Sequence, residues 1–276
     1  MGEGAAQVAG HRVRVVRRLA WRLVAPENRL ARARDRDTPL AMKHRTIQGA
    51  IRYTSNKPDR KGQERGRERF TFTHHADGCV TIRALCEIEE PDPTVLRDVV
   101  YSLDAAGRPK DCLLRLTVGD AFMGAGFFRF GESFIECESY GPGIGRVSQR
   151  VELASPIDGF GTHPIVTDGY FLGRQDWTHV KRRSFSMYVP SPDHRGATAP
   201  VLAPVRIDGV YKGRETVSVA AGTFDCWHLQ FEDTGGGMGD HPVYDLWVTA
   251  DEDALFVQGG VGGYMQTWYE LVTLDR

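Results

Sequence analysis

A chain of 276 residues, 41% apolar and 26% charged, has the composition of an ordinary folded globule and is long enough to bury a core without disulfide or metal staples. Its net charge of −1 conceals an asymmetry: residues 1–41 carry nine Arg against four acids, so the remainder is about −6. A mildly acidic body lacks the basic face that phosphate contacts need, which argues against nucleic acid as its ligand.

The N-terminal stretch HRVRVVRRLAWRLVAPENRLARARDRDTPLA has arginines too closely spaced for the apolar core expected of a Sec signal, and no twin arginine in it has the required apolar run behind it. A short basic amphipathic helix over Val13–Val24 is one reading. The plainer one makes residues 1–41 a disordered extension, or sequence upstream of a misassigned start. No run approaches the ~18 apolar residues of a spanning helix, so stable membrane insertion is not expected.

From residue 47 the pattern is β almost throughout, and residues 42–276 read as a single β-barrel-like domain. FTFTHHADGCVTIRALCEIEE reads as two strands joined at Ala76-Asp77-Gly78, the second half-buried, with Val80, Ile82, Ala84, Cys86 and Ile88 on one face. DVVYSLDAAGRPKDCLLRLTV repeats the idea around Asp104–Pro109, after a helical turn near Pro93–Asp98. GFFRF, SFIECES and RVSQRVEL continue the meander. Pro156–Trp177, dense in Gly, Pro and aromatics, breaks it as a long irregular loop joining halves 42–155 and 178–276. A second irregular stretch, VPSPDHRGATAP, follows RRSFSMYV. Strands then resume as PVRIDGVYKGR, ETVSV, FDCWHLQFED, PVYDLWVTA, DALFVQ and YMQTWYELVTL. The fold class expected is all-β: an antiparallel meander curved into a barrel, or two curved sheets, around a cavity, with a duplicated half-barrel as one way to build it.

The five cysteines (Cys79, Cys86, Cys112, Cys137, Cys226) are odd in number and show no C-x-x-C pair. They read as reduced, buried small hydrophobes in a reducing compartment, the cytoplasm, and not as a zinc site.

The stretches ETVSVAAGTFDCWHLQF, YDLWVTADEDALFVQ and QTWYELV resemble a bacterial family of unknown function built as a curved β-barrel. The resemblance spans roughly residues 205–274, and more loosely the meander from Ile51. Its motifs are structural, Ala221-Gly222-Thr223-Phe224 being a hairpin turn. It implies the fold, but no activity and no catalytic residue.

Candidate chemistry rests on a few polar residues. His163 lies in a Gly/Pro-framed loop that fixes its backbone, and Asp168 follows five residues later to orient its ring. In VSVAAGTFDCWHLQFED, alternation puts Phe224, Cys226, His228 and Gln230 on one face, with Asp225, Trp227, Leu229 and Phe231 on the other. Asp225 reads as a turn residue. His228 faces either a chamber or water. Asp245, sharing a face with Trp247, either pairs with an Arg such as Arg206 or Arg214 or lines a pocket. Tyr244, Trp247, Trp268 and Trp227 are candidate ligand-binding aromatics. No H-x-H or H-E-x-x-H spacing supports a metal, and the runs Gly141–Gly145 and Gly235–Gly239 lack the strand-to-helix setting of a nucleotide site, so no cofactor is expected.

Two functions follow, beside the plain reading of a scaffold whose interior is filled by side chains. One is a cofactor-independent acid–base enzyme, a hydratase, dehydratase or isomerase, with His163, Asp168, His228 and Asp245 acting on a small, largely apolar molecule. The other is a non-catalytic, lipocalin-like carrier of a similar molecule, aromatic or apolar.

Overall fold

The computed structural model describes residues 44–89, 91–233 and 241–276. The readings of residues 1–41, including the Val13–Val24 helix, and of the run Gly235–Gly239 lie outside the described residues.

Period-two burial organises nearly everything else. The strands are β1 (His44–Ser55), β2 (Glu64–His75), β3 (Val80–Ile88), β4 (Val95–Leu103), β5 (Pro109–Val118), β6 (Ala121–Phe130), β7 (Phe134–Gly141) and β8 (Gly145–Glu152). After them come β9 (Gly159–Phe160), helix α1 (Ile165–Gly173), β10 (Arg182–Val189), β11 (Ala203–Val219), β12 (Gly222–Asp233), β13 (Tyr244–Thr249), β14 (Phe256–Val261) and β15 (Thr267–Asp275). On β4, Val95, Arg97, Val99, Tyr101 and Leu103 are buried while the residues between them are not. That is the signature of a sheet with one wet face.

All fifteen strands belong to one sheet, in the order β8-β7-β6-β5-β4-β3-β2-β1-β15-β14-β13-β12-β11-β10-β9. The seam is β1, which pairs antiparallel with β2 on one side and with β15 on the other, Tyr53 standing opposite Tyr269. From that seam two meanders run off in opposite directions. β8 and β9 end the sheet without pairing to each other, and β9 is parallel to β10. The sheet is therefore curved but not closed. The all-β expectation is borne out, as are the turns at 76–79 and 104–108.

Three local expectations give way. Pro93–Asp98 makes no helical turn: strand β4 begins at Val95. The segments PVRIDGVYKGR and ETVSV are one strand, β11, whose register shifts between Tyr211 and Gly213. A bulge there bends the strand without ending it. Within the supposedly irregular 156–177 stretch lies α1, nine residues long.

Helix α1 fills the concave side of the sheet. It buries Val166, Thr167, Gly169, Tyr170 and Leu172, and Tyr170 packs on Phe72 with ring centroids 5.3 Å apart. Trp177 ties off its C-terminal end by donating its indole N–H to the Leu172 carbonyl at 2.9 Å. Gly169 permits close approach to β14: a Cβ there would stand 2.9 Å from Phe256 Cβ and 3.2 Å from Phe256 Cα. At an ordinary helical site Gly→Ala stabilises by up to ~1 kcal/mol. Here Gly169→Ala should instead destabilise by about 1–3 kcal/mol, because the methyl meets backbone that cannot yield. Urea unfolding, read as a lower midpoint at unchanged slope, checks the sign.

Candidate functional site

The interior of this sheet is not wholly apolar. One row of directly opposed residues runs across four strands as Ile51, Glu68, Cys86 and Arg97, then reaches Leu116 on β5. All five side chains are buried, so a carboxylate and a guanidinium lie where the pleat demands hydrocarbon.

Glu68 is satisfied by the helix. Its Oε2 accepts the backbone N–H of Ile165 at 2.8 Å, and Oε1 that of Val166 at 3.0 Å. The Tyr53 hydroxyl donates to Oε2 at 2.7 Å and the Cys86 thiol at 3.3 Å. Pro164, at the N-cap position of α1, has no side chain that could serve these amides. Glu68 supplies the cap from another strand, and its charge also suits the positive end of the helix. Burial raises its pKa against these bonds. Tyr53 and Cys86, pressed against the same carboxylate, are held protonated well above their usual ranges, first by burial.

Beside this cluster is a partly enclosed cavity of about 130 Å³. Ile88, Ile165, Met187, Val189, Phe231 and Val261 give it apolar walls, and its polar groups include Asp168, His163, Tyr244 and Arg97. Tyr244 is 4% exposed and its hydroxyl has no hydrogen-bond partner among the described residues. Asp168, in the first turn of α1, is held protonated well above the carboxylate range, by burial first and then by the nearby charge of Glu68.

His163 has a left-handed backbone, φ 75°, which is rare for a residue with a Cβ. Its Nε2 lies 3.2 Å from the Ser191 carbonyl, an acceptor only, so Nε2 carries the proton and Nδ1 is the basic atom of the neutral ring. Burial, then the neighbouring Arg97 charge, holds its pKa well below the usual imidazole value. Burial thus favours the neutral carboxylic acid at Asp168 and the neutral imidazole at His163, displacements in opposite directions that suit a pair of proton-transfer groups.

Of the residues singled out in the sequence, His163, Asp168 and Tyr244 meet at this cavity. His163 and Asp168 do not bond to each other, since the His163 ring is turned to Ser191. His228 and Asp245 pair elsewhere: Nε2 of His228 is 2.7 Å from Asp245 Oδ1, and Gln230 donates to the same oxygen at 2.7 Å. Asp245 thus takes a histidine, not an arginine, as its partner. Asp245 follows Tyr244 on β13 and so points to the opposite face of the sheet. Trp247, whose ring stacks on His228 at 4.2 Å, and Trp268, 6.0 Å from Trp247, are on that face too. Trp227 packs against Tyr211 and under Arg214, and is not part of the cavity wall. Asp225 forms a charge pair with Arg214 in place of a turn bond.

Glu68 and Arg97 went unnoticed in the sequence although a signal existed. Glu68 is in phase with Phe70 and Phe72, and Arg97 with Val95, Val99 and Tyr101. Among the described residues no group of three or more His, Cys, Asp or Glu side chains could hold a metal, and no helix is long and apolar enough to cross a membrane.

The open, curved, barrel-like sheet is a fold that this chain shares with a bacterial protein of unknown function, as the C-terminal motifs implied. The particular likeness is to the crystal structure of a β-barrel-like protein of domain of unknown function DUF1849 from Brucella abortus: TM-score 0.54, 15% identity, over 84% of this chain and 96% of that one. Weaker matches are a Bacteroides fragilis protein of YmcC-like fold (TM-score 0.28, 9% identity, 83% and 95% covered) and a Parabacteroides distasonis protein classed as a lipoprotein (0.29, 10%, 83% and 94%). No family model matches the chain, and no curated protein does.

The Asp168 proton has a thermodynamic consequence. A carboxyl whose folded pKa is raised stabilises the native state fully at low pH, and this contribution is lost as pH climbs from about 4 through the folded value. The buried neutral imidazole of His163 acts in the opposite sense up to about pH 6.5, so the test is the difference between proteins: from pH 4 upward the melting temperature of Asp168→Asn should climb relative to that of the parent. At pH 8 it should melt above the parent protein. Calorimetry across pH 4–8 measures both.

Proposed function

We propose that the cavity beside α1 binds a small, largely apolar organic molecule. The observation that carries this reading is the pairing of apolar walls with Tyr244, a lining residue whose buried hydroxyl has no partner among the described residues. A buried hydroxyl left without a partner costs about 1–3 kcal/mol, a cost that a bound ligand's acceptor would remove. In size the space is close to the ~150 Å³ known to admit benzene, so the ligand is of the order of a single ring or a short branched chain.

Acid–base catalysis is a second reading, favoured by the opposite displacement of the Asp168 and His163 pKa values in one cavity. In it, Asp168 donates a proton to the substrate and Nδ1 of His163 accepts one. The reaction class is hydration, dehydration or isomerisation. His228 and Asp245 take no part, because they face the other side of the sheet.

A thermal-shift screen of the full chain against one-ring aromatics, small ketones and short terpenoids tests the binding reading. A true ligand at one hundred times its Kd stabilises by ~2.7 kcal/mol, and Tyr244→Phe should weaken it about tenfold. If no compound of this size shifts the melting temperature, the reading fails. Incubating the best ligand with parent and His163→Ala protein separates the two functions: conversion by the parent alone supports catalysis, and no conversion by either leaves a carrier.

A further inference from the structure

Arg97 is the unexplained charge in this interior. It is 1% exposed, and burial is the dominant influence on it, lowering its pKa. Its Nη2 donates to the carbonyls of Arg195 and Gly196 at 2.5 and 2.9 Å, while Nε–H has no partner among the described residues. Among the described residues no carboxylate contacts it. The two acids whose fields reach it, Glu68 and Asp193, are already committed. Glu68 serves α1, Tyr53 and Cys86, and Asp193 accepts the backbone N–H groups of Arg195 and Ala197 at 3.2 and 2.8 Å. Carbonyl dipoles solvate a guanidinium in part, but a buried cation without a contacting anion is costly.

The segment around Arg97 holds it in place. A Cβ on Gly196 would collide with its guanidinium and come within 2.8 Å of His163 Cδ2, so the bare glycine backbone closes directly over both side chains. Gly196 also has φ +60°, a conformation that favours glycine. Arg195 in turn donates to the carbonyls of Pro91 and Pro93 at 2.6 and 2.8 Å, pinning this strap to the turn before β4. The guanidinium is thus fixed at the cavity wall.

Resting on the binding reading above, we infer that the ligand is a small organic carboxylate, its apolar body against Ile165, Met187 and Phe231 and its carboxylate hydrogen-bonded to the Nε–H of Arg97. A planar, charge-bearing acceptor is what a guanidinium recognises best, and the charge-assisted bond is about twice as strong as a neutral one. The proton on Asp168 suits the same occupant, since a neutral acid does not repel an anion. Benzoate has the size of one ring plus this headgroup and is the natural probe.

The experiment compares benzoate with benzyl alcohol and benzamide by calorimetric titration of the full chain, and follows the Arg97 Nε–H resonance in ¹⁵N-arginine-labelled protein. Benzoate should bind at least about tenfold more tightly than either neutral analogue and should move the Arg97 resonance, which the alcohol leaves in place. Arg97→Gln should bring benzoate down to the level of benzyl alcohol without altering the alcohol's own affinity, and Arg97→Lys should keep part of the preference. Should Arg97→Gln fail to fold, the labelled resonance in the parent protein decides alone. Equal or tighter binding of the neutral analogues, or an Arg97 resonance indifferent to bound benzoate, overturns the carboxylate and leaves the cavity reading standing. If none of the three binds, the carboxylate falls, and the cavity reading falls with it only when the wider thermal-shift screen is empty too.

Discussion

Glu68 belongs to a strand, yet the amides it binds belong to a helix 97 residues later in the chain. Without that carboxylate α1 would begin at a proline with its first N–H groups buried and unpaired, a state that folded proteins avoid. With it, the helix is anchored against the concave face, and everything near its first turn has a defined place. Asp168 is in that turn. Ile165 forms part of the cavity wall immediately above the capped end.

The same anchoring sets the electrostatics. A carboxylate spent on a helix end cannot neutralise a guanidinium two strands away, so Glu68 and Arg97 share a row without touching. Burial first, and the field of Glu68 second, disfavour a further negative charge nearby and keep the proton on Asp168. Tyr53 joins the arrangement to the aromatic wall, its ring edge-on to Tyr269 at 4.9 Å, with Tyr269 edge-on to Tyr244 at 5.8 Å. One strand-to-helix contact thus governs the protonation, the helix position and the aromatic lining together.

Much of this architecture is legible in the sequence, because a half-buried sheet writes its period directly into the residues. Val80, Ile82, Ala84 and Cys86 announce their strand, and Asp77-Gly78 and Ala106-Gly107 announce their turns. Helix α1 is illegible for a physical reason: it is nine residues long, starts after a proline, contains a glycine, and takes its cap from a distant strand. Local propensity does not register a cap supplied in trans. The cavity was half legible. His163, Asp168 and Tyr244 could be picked out as residue types in suggestive settings, but Glu68 and Arg97 disclose themselves only when each polar residue is checked against the phase of its own strand. Phase alone also separates Tyr244, facing in, from Asp245, facing out.

The seam between β1 and β15 sets the order of assembly. Hairpins such as β2–β3 and β4–β5 close over short turns and can form as soon as they are synthesised. The free edge of β1, by contrast, finds its partner only when Thr267–Asp275 has been made. Until then Ile51 and Tyr53 belong to a strand with one row of amides open to any passing chain, the condition that invites intermolecular pairing. Contacts that join such distant parts of a chain also slow folding. The interval before this seam closes is when the β1 edge leaves the growing protein most exposed to aggregation.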